Sequence, residues 1–176
     1  MRSVSGLILL VVGGCGMLEV GVYPRTTIPT GIAAPANQRL ALVAVSNGVL
    51  AYRCDPKPDS TGRYEWAFQA PEAWLRDVAG KSIGRHYAGP TWELTDGSKI
   101  VGTEQARVTA TDNSDLPWLR LAARSTGGAG LLANVISVQQ VNTSGGQAPA
   151  AGCTQLDQGR ILRVEFRADY NFYVPR

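Results

Sequence analysis

The chain has one histidine, and it lies in the densest mixture of reactive and aromatic side chains in the sequence, Gly84-Arg85-His86-Tyr87-Ala88-Gly89-Pro90-Thr91-Trp92-Glu93. A histidine titrates near neutrality, so it can act as a general acid or base or supply a directional hydrogen bond. Tyr87 and Trp92 offer aromatic faces for a ligand to lie against. The expected binding residues are therefore His86, Tyr87 and Trp92, with His86 and Tyr87 at the mouth of a concave site. Two carboxylates follow, Glu93 and Asp96, and a carboxylate pair is what glycoside hydrolysis uses. A hydrolase working through His86 or through Glu93 and Asp96 is the alternative. The plainer reading weighs more in each case. Gly-Pro sets a turn, Tyr87 and Trp92 pack, and His86 hydrogen-bonds to backbone. Glu93 takes an exposed strand face and Asp96 serves its turn. Trp66, Trp74, Trp92 and Trp118 suit sugar stacking, but they are first of all large core residues.

Many chemistries are excluded. A single histidine rules out a multi-histidine metal site and a His-x-x-x-His protease. No P-loop, no Gly-x-Gly-x-x-Gly after a strand and no Gly-x-Ser-x-Gly elbow occurs, so no cofactor and no metal is expected. The net charge is +3, and the basic residues are thinly spread. Without a basic cluster there is no nucleic-acid footprint.

The N-terminus reads as an address. Arg2 precedes the apolar run Leu7–Val12, and Gly13-Gly14-Cys15 follows. That order describes a secretory signal, and the run is far short of the ~20 residues that span a bilayer. Val12-Gly13-Gly14-Cys15 resembles the lipobox of bacterial lipoproteins. In such proteins the cysteine is acylated, with palmitate for example, and becomes the new N-terminus. The expected organisation is a signal peptide over 1–14, a lipidated Cys15 with an extended tether to 36, and one β domain over 37–176. The expected location is the bacterial cell envelope, with the membrane as a partner through the anchor. Setting Cys15 aside leaves Cys54 and Cys153 as an even pair in an oxidising compartment, where a disulfide is the default.

The elements that must position these residues are strands. Leu40–Val45 and Val49–Cys54 flank Asn47-Gly48, a hairpin signal. Tyr64, Trp66 and Phe68 alternate with polar residues, as a half-buried strand requires. Pro71–Asp77 suits one or two helical turns, with Pro71 at the first position and Gly80 as terminator. Thr91–Thr95 and Ser98–Gly102 flank the turn pair Asp96-Gly97. Arg107–Thr111, Trp118–Arg124 and Asn134–Val141 read as further strands. Leu162, Val164, Phe166, Ala168, Tyr170 and Phe172 alternate with polar residues in one long strand, which predicts a bend or bulge within it. The sum is an all-β domain, a single antiparallel sandwich or barrel of about eight to ten strands with at most one short helix.

These residues, in order, resemble domain-of-unknown-function family 3455, a group of exported bacterial and fungal proteins. The resemblance rests on Gly48–Cys54, Trp66 with Pro71-Glu72-Ala73, Gly84–Trp92, Asp96-Gly97-Ser98 and Pro117-Trp118-Leu119. It continues through Val138–Thr143, Gly145-Gly146, Cys153 and Ala168–Tyr173. Leu50 stands where glutamine is expected and Gln140 where a basic residue is expected. The resemblance implies an exported β domain with Cys54 and Cys153 paired, and no established activity. The leading expectation is a non-enzymatic envelope lipoprotein that binds an unknown small molecule, glycan or protein. A purely structural surface protein is a further alternative.

Overall fold

The structure, a computed structural model, describes residues 26–58 and 60–176. Cys15 and the signal segment lie outside the described residues. The strands are β1 (Gln38–Pro56), β2 (Tyr64–Arg76), β3 (Ser82–Tyr87), β4 (Thr91–Leu94), β5 (Lys99–Val108), β6 (Trp118–Gly127), β7 (Ser137–Gly145) and β8 (Ile161–Pro175). Each pairs antiparallel with the next, and β8 returns to β1. The sheet is a closed up-and-down barrel, which decides between sandwich and barrel.

Alternation makes the inside. Along β8, Phe166, Ala168, Tyr170 and Phe172 are buried while Glu165 and Arg167 are exposed. Lower down the outer face of β8 is covered too, because residues 26–36 pack against the barrel wall. There Thr26 donates to Asn142, and Asn142 donates to Asp169 Oδ2 at 2.8 Å. Gln139 Nε2 donates to the carbonyl of Ile32, whose own side chain is fully buried.

Four local expectations give way to tertiary pairing. Asn47-Gly48 makes no hairpin; β1 runs through it as a strand of 19 residues. Gly48 pairs with Ala73 on one side and Phe166 on the other. A Cβ there would lie 2.5 Å from the Ala73 Cα, so the glycine serves close approach of two strands rather than a turn. Pro71–Asp77 forms no helix; it is the second half of β2 and its exit. β3 pairs with β2 only from Ala73 onward, so Pro71 sits at a locally unpaired edge, where a missing N–H is tolerated. The only helical pieces among the described residues are 3₁₀ turns at Thr30–Ile32 and Gln155–Asp157. The separate strand at Arg107–Thr111 is the end of β5, which stops at Val108. The irregularity expected inside β8 lies in its partners. β1 has an extra residue at Ala41, and β7 has one at Asn142-Thr143, where Asn142 has a φ of 51°. The Asp96-Gly97 turn joins β4 to β5 as its sequence implies, with Gly97 at a φ of 84°.

The two ends of the barrel differ. At the lower end the interior is filled by Leu75, Ile100, Val138 and Phe172. Residues 128–136, between β6 and β7, fold in as a plug and bury Leu132 and Val135. The plug is pinned by the β4–β5 turn: the Leu131 N–H donates to Asp96 Oδ2 at 2.8 Å, and the Leu132 N–H to Ser98 Oγ at 3.1 Å. At the upper end residues 146–160, between β7 and β8, are stapled to the end of β1 by the Cys54–Cys153 disulfide.

Candidate functional site

Beneath the stapled loop the barrel is hollow. The cavity has a volume of about 530 Å³, within the range of about 300–1,000 Å³ typical of small-molecule sites. Every strand contributes to it: Leu50, Pro71, His86, Trp92, Glu104, Leu121, Gln140 and Tyr170 come from β1 to β8 in turn. It is therefore the barrel interior itself. An eight-stranded barrel is about wide enough to hold one small ligand when side chains leave its centre empty.

The cavity opens on one side because β3 and β4 are short, with 6 and 4 residues. Above Ala73, β2 has no β3 beside it, and above Val101, β5 has no β4 strand partner. The turn at Gly89-Pro90 forms the sill of this opening, Phe68 stands on one side and Glu104 and Arg107 on the other. Phe68 is 56% exposed, although it lies at the cavity and meets Tyr52 edge to face.

His86 and Trp92 lie at its base. They are directly paired across β3 and β4, and their rings stack at 4.6 Å with an interplanar angle of 15°. Tyr170 closes the cluster, 5.1 Å from His86 and 5.4 Å from Trp92. His86 Nδ1 is 2.9 Å from the Thr91 carbonyl oxygen. A carbonyl only accepts, so Nδ1 carries the proton and donates. Burial lowers the His86 pKa to about 4, outweighing the opposing effect of the Thr91 bond. The ring is neutral at physiological pH. Burial likewise raises the Tyr170 pKa, and its hydroxyl donates to Gln140 Oε1 at 3.1 Å. Gln140 Nε2 donates in turn to the Pro117 carbonyl at 3.0 Å.

Tyr87 goes elsewhere. Strand alternation puts it on the outer face when His86 is inside, and it does not line the cavity. Its hydroxyl donates to Glu93 Oε2 at 2.7 Å, and Arg85 donates to the same oxygen at 3.0 Å. Those two bonds hold the Glu93 pKa below its ordinary value, and the Glu93 bond raises that of Tyr87. Glu93 is thus an outer-face residue. Asp96 accepts from the Ser98 hydroxyl and from the backbone N–H groups of Ser98 and Leu131, which lower its pKa. Neither carboxylate lines the cavity, so a carboxylate pair across a substrate lacks its geometry here. Among the described residues no cluster of three or more His, Cys, Asp or Glu is placed to hold a metal ion.

The sequence reading missed Glu104 and Arg107. Three positions apart in a regular strand, they would face opposite ways. A bulge at Gln105 shifts the register, so Glu104 stands opposite Leu121 and Arg107 opposite Leu119, both cavity residues. The guanidinium grips the carboxylate with two bonds of 2.7 Å. The pair lowers the Glu104 pKa and neutralises the rim. Leu50 and Gln140, where the chain departs from the expected pattern, are both wall residues.

A family model described as "Protein of unknown function (DUF3455)" matches residues 35–174. The chain belongs to the DUF3455 family. The match spans all eight strands of the DUF3455 barrel but the last residue of β8. No curated protein and no solved structure matches the chain.

Proposed function

We propose that this DUF3455 barrel is the binding module of an exported lipoprotein, and that it holds an apolar small molecule inside the upper barrel. The single observation that carries this is the cavity of about 530 Å³ to which all eight strands contribute. A barrel of this size without a task is expected to fill its centre with side chains, as the lower end does. The wall is mostly apolar and aromatic, with a few fixed polar groups, which is the usual make-up of a ligand site. A binder has more support than a hydrolase, because the described residues that line the cavity with His86 include no Ser, Thr or Cys and one carboxylate, Glu104, which Arg107 holds. The anchor proposed at Cys15 places the module at a membrane surface of the bacterial envelope. Acyl chains contribute roughly 0.8 kcal/mol per buried methylene, so more than one holds the protein firmly.

Titration with the fluorescent apolar probe N-phenyl-1-naphthylamine tests the binding reading. Saturable uptake of one probe per chain is expected, with a native mass spectrum showing the same stoichiometry. Absence of saturable uptake would reject a ligand cavity.

A further inference from the structure

We propose that the ligand is a neutral alcohol or phenol, and that His86 Nε2 accepts the hydrogen bond from its hydroxyl at the base of the cavity; this rests on the binding reading above. Nδ1 is tied to the Thr91 carbonyl, which fixes the tautomer and leaves a lone pair on Nε2. Among the described residues no side chain or backbone N–H donates to Nε2. The ring lines the cavity and is held flat against Trp92, and turning it over would forfeit the Thr91 bond. A lone pair at the base of a mostly apolar cavity is best matched by a donor.

The other polar groups at this depth offer none. The Tyr170 hydroxyl is engaged by Gln140, and the Gln140 amide by Pro117. The Trp92 indole N–H has no acceptor and is covered by protein, so it is not available to a ligand. At the rim Arg107 and Glu104 neutralise one another, so neither an anionic nor a cationic ligand meets a net opposite charge there. A ligand ether or carboxylate would set lone pairs against the Nε2 lone pair, and such mismatches are penalised strongly in desolvated sites.

The test uses the full chain and three intrinsically fluorescent probes of one shape: 1-hydroxypyrene, 1-methoxypyrene and pyrene-1-carboxylate. The hydroxyl compound is expected to bind at least about tenfold more tightly than the methyl ether, with the carboxylate weakest. His86→Phe keeps a ring on Trp92 and should bring hydroxypyrene to the level of the ether. Equal binding of alcohol and ether, or preference for the carboxylate, overturns the hydroxyl assignment and leaves the cavity reading standing. Failure of all three to bind overturns both. The comparison within the unmodified chain decides the question whether or not the His86 variant folds.

Discussion

The lower and upper halves of the barrel are built by the same strands to opposite ends. Below, Leu75, Ile100, Val138 and Phe172 meet Leu132 of the plug, and the interior is closed. Above, the same β1, β2, β5 and β8 continue past the end of the short β3–β4 hairpin, and the interior stays open. What separates them is hairpin length and loop content. The lower loop carries Leu132 and Val135 inward. The upper loop carries Ala148, Ala150, Ala151 and Gly152, which are too small to fill a barrel, and a disulfide ties it to β1. A barrel can thus be stabilised at one end and hollowed at the other, and the division falls at the His86–Trp92–Tyr170 layer.

The largest expected effect comes from the staple. Replacing Cys54 and Cys153 with Ser opens a loop with a sequence separation of 99. On the chain-entropy model this costs about 4–5 kcal/mol of stability, read as a lower urea midpoint. Probe affinity should fall as well, since the upper loop loses its attachment. Unchanged stability and affinity would mean that the loop is held by its other contacts, such as Tyr52 to Gly146 and Trp66 to Ala151.

Next is the plug. Leu132→Ala should cost about 2–5 kcal/mol, as buried leucine truncations do. Leu119→Ala, on the cavity wall, should cost clearly less, because it enlarges a space already present. Equal losses would contradict a hollow upper half.

The middle layer gives a pH signature. The folded-state pKa of His86 is about 4, below the ordinary value of 6.5. The unfolded chain therefore takes up a proton first as pH falls. Stability attributable to this group is full above about pH 6.5 and declines until about pH 4, by up to about 3 kcal/mol. Urea midpoints between those pH values should fall in the parent chain, with this component absent in His86→Phe. Identical slopes would show that His86 is not desolvated. The smallest effect is expected at the pin: Asp96→Asn should cost about 1 kcal/mol, the scale of a lost turn hydrogen bond, and leave probe binding unchanged.

Much of the barrel was legible in the sequence. The alternation in β8 and the Asp96-Gly97 turn follow from side-chain type and spacing, the Cys54–Cys153 pair was expected from an even cysteine count and the family resemblance, and the structure contains all three. What was not legible came from pairing partners. Asn47-Gly48 has turn chemistry, but Ala73 and Phe166 flank it and keep it extended. Pro71–Asp77 has a helix start, but β1 and β3 capture it. For the site, the Gly84–Trp92 cluster pointed to the right hairpin. Alternation alone, applied to His86 and Tyr87, separates the inner residue from the outer one. Glu104 and Arg107 could not be found this way, because their shared face depends on a bulge that only the pairing of β5 with β6 reveals.

The central claim is that the upper barrel is empty enough to take a ligand and does take it there. Leu119→Trp tests it most directly, because it places an indole into the proposed space from the wall. The expected result is a stability, read from urea unfolding, that changes by no more than about 0.5 kcal/mol, as for a substitution that meets no packed neighbour, while uptake of N-phenyl-1-naphthylamine is lost. A chain that unfolds would show that the space is not there. A stable chain that binds the probe as before would show that the ligand site lies elsewhere.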